Sequence, residues 1–226
     1  MHQADRHPSA ARAGSVARSG APRTGGAKRL TDVAIAGVLL VVTLPLSVVA
    51  ALSIRASMGR PVLFRQTRPG LHGRPFTLLK FRTMAVQPNV LGGALASASD
   101  AARLTPLGRR LRAASLDELP QLWNVLRGEM SLVGPRPLLM EYLPLYEAHQ
   151  ARRHEVLPGI TGWAQVNGRN ALTWEQKFDL DVWYVDHRSW WLDMKILALT
   201  LHRVLRRDGV SQHGHATAEP FRGRFA

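Results

Sequence analysis

From Val33 to Ile54 the chain runs through 22 residues without a charged side chain. A spanning helix needs ~20 predominantly apolar residues, so one reading is a single transmembrane helix. Two details of the pattern oppose it. Pro45 sits at the middle of the run, where it removes a backbone hydrogen bond and crowds the preceding turn. Basic residues also flank both ends, with Lys28 and Arg29 before and Arg55, Arg60, Arg65 and Arg68 after. The positive-inside rule places such an excess on one side only. A helical hairpin is the second reading. Val33–Leu44 makes ~18 Å of helix at ~1.5 Å per residue, roughly half of a ~30 Å hydrocarbon core. It would enter one leaflet, bend at Pro45 and return to the same face, with Thr43 and Ser47 serving backbone groups freed at the bend. The pattern leaves both readings open.

Beyond Arg55 the periodicity shortens. Pro61-Val-Leu-Phe-Arg-Gln and Phe76-Thr-Leu-Leu-Lys-Phe read as two strands, joined by the turn chemistry of Arg68-Pro-Gly-Leu-His-Gly. Asn89–Asp100, rich in Gly, Ala and Ser, reads as a loop. Thr105-Pro-Leu-Gly-Arg-Arg starts a short helix with Pro in its first turn. Further helices are expected over Leu119–Leu126, Leu138–Arg153, Thr173–Val185 and Trp190–Arg207. The last places Trp191, Met194, Leu197, Ala198 and Leu201 against Lys195, Arg203, Arg206 and Arg207. That pattern suits a membrane interface or a helix packed on the core equally well. The expected fold is mixed, mainly α with a short β-hairpin.

Composition narrows the partners. The net charge of +14 calls for an anionic partner, whether nucleic acid, acidic lipid or phosphorylated substrate. Arginines lie among prolines and glycines in several loops, not along one helix or between stacking aromatics, which disfavours nucleic acid. With no cysteine in the chain, disulfides, thiolate metal sites and cysteine nucleophiles are excluded. The first 27 residues, built largely of Ala, Gly, Ser, Pro and Arg, read as a disordered basic tail.

Val33–Ser99 contains no carboxylate at all, and the first acidic pair beyond it is Asp117-Glu118, bracketed by Arg109, Arg110, Arg112, Arg127 and Arg136. Two adjacent carboxylates in so cationic a setting can bind a metal or attack an electrophile carried on a phosphate. Ser115-Leu-Asp-Glu also fits a capping box with Ser115 at N-cap, a purely local role. Val133-Gly-Pro-Arg136-Pro holds one guanidinium between two prolines, a stiff setting for phosphate recognition or an ordinary turn. Pro158-Gly-Ile-Thr-Gly-Trp-Ala-Gln-Val-Asn-Gly-Arg169 is a second glycine-dense loop ending in arginine. Lys80 is unusual in a strand and either faces an anion or lies on a solvated edge. None of the nine histidines has zinc-site spacing.

Taken in order, Lys28-Arg-Leu-Thr-Asp32, the apolar run with Pro45, Phe64-Arg-Gln-Thr-Arg-Pro-Gly, Lys80-Phe-Arg-Thr-Met, Ser115-Leu-Asp-Glu-Leu-Pro-Gln-Leu-Trp-Asn-Val-Leu, Met130-Ser-Leu-Val-Gly-Pro-Arg-Pro and the Pro158–Arg169 loop closely resemble the bacterial sugar transferases, the monotopic phosphoglycosyl transferases. The resemblance runs from about Lys28 to Phe221, and the length is similar to that of minimal single-domain members. It implies a monotopic membrane protein with a re-entrant hairpin over 28–58, interfacial amphipathic helices and a cytoplasmic catalytic domain over 59–226, at the cytoplasmic face of the bacterial inner membrane. The implied reaction moves a sugar 1-phosphate from a UDP-sugar to polyprenyl (undecaprenyl) phosphate. Asp117 would be the nucleophile, UMP the leaving group and an aspartyl-phosphosugar the intermediate. Glu118 would be its metal-site or proton-transfer partner, and Mg²⁺ would be bound by Asp117 and Glu118. Arg112, Arg136, Arg169 and Lys80 would hold phosphate, with Glu141 and Asp193 in matching motifs. Anionic lipids and a second copy of the chain are further expected partners. A non-catalytic, membrane-tethered anion-binding scaffold is the alternative, though such a scaffold would be expected to lose the acidic pair. Short members lean towards N-acetylated amino sugars as substrates. One departure is plain: the family bends its re-entrant segment at Ser-Pro, where this chain has Leu44-Pro45.

Overall fold

A computed structural model describes residues 26–85, 103–168, 172–206 and 220–223. The basic tail lies outside these residues, except that Gly26 and Ala27 open the first helix. The Asn89–Asp100 loop lies outside them too. Helix α1 spans Gly26–Met58, with Pro45 inside it. Among the described residues it is the one helix long and apolar enough to cross a membrane. Its buried positions, Asp32, Ala36, Ala50 and Ile54, lie towards its two ends and none lies in its middle. Ala36 and Ile54 are fully buried, whereas Val38, Val41, Val42 and Val49 are largely exposed.

Both ends of α1 are tied down by polar contacts. Near its start, the Asp32 carboxylate accepts hydrogen bonds from Ser131 Oγ at 2.7 Å and Leu132 N at 3.2 Å. It lies 3.9 Å from Lys28, one turn away on the same helix. Lys28 in turn pairs with Asp193 at 2.5 Å. At the far end, the buried Arg82 guanidinium donates to the carbonyls of Met58, the last residue of the helix, and of Gly59 and Arg60 just beyond it, so that it caps the helix end. Thr43 Oγ1 bonds Leu39 O, a different carbonyl from the one that Pro45 frees.

Strands β1 (Leu63–Pro69) and β2 (Pro75–Phe81) form the expected antiparallel hairpin, with Phe64 opposite Lys80 and Pro69 opposite Pro75. The other edge of β2 is served by one side chain. Asn124 is fully buried, accepts from Leu79 N at 3.1 Å and donates to Thr77 O at 2.8 Å and Glu129 Oε2 at 2.6 Å. An unpaired strand edge is thereby covered by an amide.

Helix α2 (Pro106–Ala113) begins as the sequence predicts, with Thr105 Oγ1 accepting from Gly108 N. Gly108 lies so close to β2's continuation that a Cβ there would stand 1.9 Å from Thr83 O. Leu111 completes a small core with Ala50, Ile54 and Phe81, joining α1, α2 and the hairpin. A 3₁₀ turn, Leu116–Glu118, leads into α3 (Gln121–Arg127), which ends at Gly128 with φ of 82°. Arg29 donates to Val125 O and Leu126 O and so caps α3 from α1.

The helix expected over Leu138–Arg153 does not form. Its place is taken by a 3₁₀ segment (Met140–Leu145), a single turn α4 (Ala148–Ala151) and a second 3₁₀ turn (Arg152–Glu155). Pro144 cannot donate to a helical ladder, and the Glu147/Gln150 capping box restarts the chain in a new direction.

Two short strands that the periodicity did not signal, β3 (Ser131–Val133) and β4 (Gly159–Thr161), pair in parallel. They press the two glycine-dense loops together: a Cβ on Gly159 would lie 2.1 Å from Gly134 N. After α5 (Trp163–Val166), helix α6 (Trp174–His187) starts at a Thr173/Gln176 capping box, and α7 (Trp190–Arg206) follows. The main core gathers Ala36, Leu122, Val125, Met130, Val133, Tyr184, Val185 and Ile196. On α7, Asp193 and Ile196 are buried and Leu192, Leu197 and Leu199 pack against this core, while Trp191 and Leu201 point outward, 77% and 61% exposed.

Candidate active site

The acidic pair sits in the 3₁₀ turn between α2 and α3. Ser115 does not cap it. Its φ is 55° and its side chain makes no capping bond, so the expected capping box is absent. The residue that would have closed the box is engaged elsewhere. Glu118 Oε1 receives Lys80 Nζ at 2.8 Å and Arg136 Nη2 at 2.7 Å. The hairpin register and the Asn124 clamp place Lys80 there, and the Pro-Arg-Pro loop places Arg136. Lys80 therefore faces an anion rather than a solvated edge, and that anion is the protein's own.

Asp117 is different. It is 7% exposed, and no hydrogen bond or ion pair holds its carboxylate among the described residues. Burial, and then the adjacent Glu118 charge, push its pKa above the ordinary aspartate value, against Lys80, Arg112 and Arg136. For Glu118, burial alone would do the same. The charges of Arg136 and Lys80 and their hydrogen bonds override it and hold the carboxyl well below the usual range. Two neighbouring carboxylates thus have their pKa values driven apart, one a fixed anion and the other the more basic oxygen.

Lys80 is pushed down by burial, partly offset by Glu118. Arg136 is raised chiefly by Glu118. Arg112, on the last turn of α2, donates from Nε to Thr83 Oγ1 at 3.0 Å and acts on Asp117 through its charge. Three cations surround two carboxylates, which leaves the site suited to a further anion. Arg169 lies outside the described residues. Glu141 is exposed in the Met140–Leu145 segment. Asp193 serves the fold, bound by Lys28 and by Tyr184 Oη at 2.7 Å.

A further guanidinium stands near this group. Arg68 is pushed down to about 10 by burial and by Arg136. Its Nη2 bonds Gln66 Oε1 at 2.6 Å, and its buried Nε has no partner among the described residues. In the sequence it was one of several flanking arginines, and only the motif Phe64-Arg-Gln-Thr-Arg-Pro-Gly set it apart.

Asp117 and Glu118 are hard oxygen donors of the kind Mg²⁺ takes. No group of three or more His, Cys, Asp or Glu converges among the described residues. The donor set fits an ion held by one or two carboxylates, with substrate phosphate and water completing its shell.

Comparison with known proteins fits this geometry. The chain matches the bacterial sugar transferase family model over residues 23–207. An uncharacterized sugar transferase of Bacillus subtilis (strain 168), EpsL, is 58% identical over 196 residues, covering 87% of this chain and 96% of that protein. A UDP-glucose:undecaprenyl-phosphate glucose-1-phosphate transferase of Caulobacter vibrioides is 44% identical over 189 residues, 80% of this chain and 70% of its own length. The Escherichia coli K12 transferase of the same name is 42% identical over 185 residues, only 39% of its own length. This chain is a transferase and belongs to the bacterial sugar transferase family.

Proposed function

We propose that the protein moves a hexose 1-phosphate from a UDP-sugar to polyprenyl (undecaprenyl) phosphate through a phosphosugar carried on Asp117. The observation that carries this reading is the contrast within the acidic pair. Glu118 is neutralised by two cations, while Asp117, without an ion pair among the described residues and more basic than usual, lies within the field of Lys80, Arg112 and Arg136.

In the first step an Asp117 carboxylate oxygen bonds to the β-phosphorus of the donor. The bond from that phosphorus to the bridging oxygen breaks, and UMP leaves with the electron pair. In the second step a phosphate oxygen of the lipid bonds to the same phosphorus and displaces Asp117, regenerating the carboxylate and yielding polyprenyl-diphosphate-sugar. Dividing the transfer in this way is covalent catalysis, with ping-pong kinetics. Lys80, Arg112, Arg136 and Arg169 act as the electrostatic clamp on the pyrophosphate. Glu118 fixes two of those cations and, held as an anion, does not act as a proton donor. Mg²⁺, held by Asp117 and Glu118 with the substrate phosphates, supplies charge neutralisation when bound.

The donor is inferred from relatives. Those with a named activity at 40–44% identity use glucose 1-phosphate, which moves the first choice from an N-acetylated amino sugar to UDP-glucose. The acceptor requires a membrane, and α1 supplies the apolar surface. We assign α1 to a re-entrant position, with both ends and the site on the cytoplasmic face of the inner membrane and the Trp191–Leu201 face of α7 at the interface. The anchoring of both α1 ends to one folded body supports that assignment.

Asp117→Asn is the direct test. It should eliminate UMP release from UDP-glucose, and wild-type protein quenched with donor alone should carry a hexose-phosphate adduct on the peptide containing Asp117. Substantial turnover by the variant sinks the nucleophile assignment.

A further inference from the structure

The Arg136 side chain is 41% exposed, so packing does not fix its guanidinium. Its position depends on the backbone of Gly134-Pro135-Arg136. The first two residues are held by the β3–β4 pairing: Gly134 N donates to Thr161 O at 2.9 Å, and Pro135 O accepts from Gly159 N at 3.0 Å. Arg136 O is held differently. It accepts from Nη2 of Arg153 at 2.7 Å, a side chain from the 3₁₀ turn after α4.

Arg153 is itself tightly constrained. It is 3% exposed and Asp181, on α6, is 4% exposed. Nε and Nη2 of Arg153 reach Asp181 Oδ2 at 3.1 and 2.7 Å, and Nη1 donates to Tyr146 Oη at 3.2 Å. The guanidinium lies 5.8 Å from the Tyr146 ring centroid and 5.5 Å from that of Phe178. All three of its nitrogens are therefore used. A buried ion pair is a poor way to gain stability, because apolar groups of similar volume often serve as well or better. What an arginine offers here and an apolar residue does not is a planar fork that holds a carboxylate, a phenol and a backbone carbonyl at once.

We propose that the buried Arg153–Asp181 pair is the positioning element of the site, fixing the Arg136 carbonyl so that the Arg136 guanidinium reaches Glu118 beside the nucleophile. The inference rests on the transferase reading given above, in which Arg136 belongs to the phosphate clamp. Arg153 touches no substrate and acts through Arg136 alone.

The proposal makes a coupling prediction that a purely structural role does not. Arg153→Lys keeps the charge opposite Asp181 but has one nitrogen for three acceptors. In membrane-reconstituted protein it should lower kcat for UMP release about 10- to 100-fold, with KM for UDP-glucose changed far less. In an Arg136→Ala background the same change should have less than about a twofold effect, because the group it positions is gone. UMP affinity measured by calorimetry across the same four proteins gives a second reading that needs no turnover. It too should fall in each single variant and fall no further in the double. Effects that multiply across the two positions, or an Arg153→Lys enzyme as active as wild type, overturn the proposal. Should Arg153→Lys not fold, Tyr146→Phe, which removes one anchor of the same guanidinium, is read in the same cycle. A wild-type protein that binds UMP but never releases it from UDP-glucose would defeat the transfer reading, while the binding cycle would still decide the positioning role of Arg153.

Discussion

Asp117 and Glu118 are neighbours in sequence with opposite electrostatic fates, and the cause lies in single contacts. Glu118 draws Lys80 and Arg136 onto one oxygen, whereas Asp117 is buried beside the resulting anion and has no ion pair of its own among the described residues. A nucleophilic aspartate must be ionised to attack. Because burial and Glu118 raise its pKa, the acid limb of UMP release should lie above the ordinary aspartate range, with activity rising as pH climbs through it. Lys80 opposes that rise. Lys80→Met removes a cation that favours the ionised forms of both carboxylates, so the limb should move to higher pH. The loss of one clamp charge should also cut the pH-independent kcat about 100-fold. A kcat–pH profile of the two proteins checks both. An acid limb that stays in place would mean that Lys80 does not act on Asp117.

At the scale of elements, the site is assembled by short pieces whose edges are finished by side chains. Asn124 is the clearest case, since α3 holds β2 through its amide and so sets the strand that carries Lys80. Asn124→Ala leaves the Leu79 N–H, the Thr77 carbonyl and the Glu129 carboxylate, each partly buried where it meets the amide, without that partner. The cost should be about 2–4 kcal/mol, read as a lower denaturation midpoint in detergent-solubilised protein. A change under about 0.5 kcal/mol would show the amide to be dispensable. The elements that the sequence made legible share one property: strong local signals. The β1–β2 hairpin follows from alternation and turn residues, α2 from Thr105-Pro106, and α6 from the Thr173/Gln176 box. Elsewhere local signals misled because distant partners decided. Ser115-Leu-Asp-Glu has capping-box spacing, but Glu118 is taken by residues 38 and 18 positions away. Leu138–Arg153 has helical periodicity, yet Pro144 interrupts it. The β3–β4 pair is three residues on each side, too short to show a period. Arg153 and Asp181 carry no local mark either, since their role exists only once α6 packs against the 3₁₀ turn that carries Arg153.

For the molecule as a whole, the decisive feature is that α1 is fastened to one folded body at both ends. Asp32 and Lys28 bind β3 and α7, while Arg82 binds the carbonyls of Met58, Gly59 and Arg60. Between the buried Ala36 and Ala50, Gly37–Val49 provides about 20 Å of helix at ~1.5 Å per residue. That falls short of a ~30 Å hydrocarbon core. A helix crossing the bilayer would have to release one set of anchors, exposing a buried Asp32 or a buried Arg82 without its partners, a cost of several hydrogen bonds to charged groups. Entering and leaving by the same face keeps both. The chain's lack of cysteine makes this testable without a background. Ala27→Cys and Ala56→Cys, both at exposed positions flanking the apolar run, should react with a membrane-impermeant maleimide in inverted vesicles and remain unlabelled in intact spheroplasts. Labelling of one position from each side would establish a spanning helix and remove the re-entrant assignment. Labelling of both from the cytoplasmic side alone would put Asp117 on the leaflet where the donor nucleotide and the lipid phosphate meet.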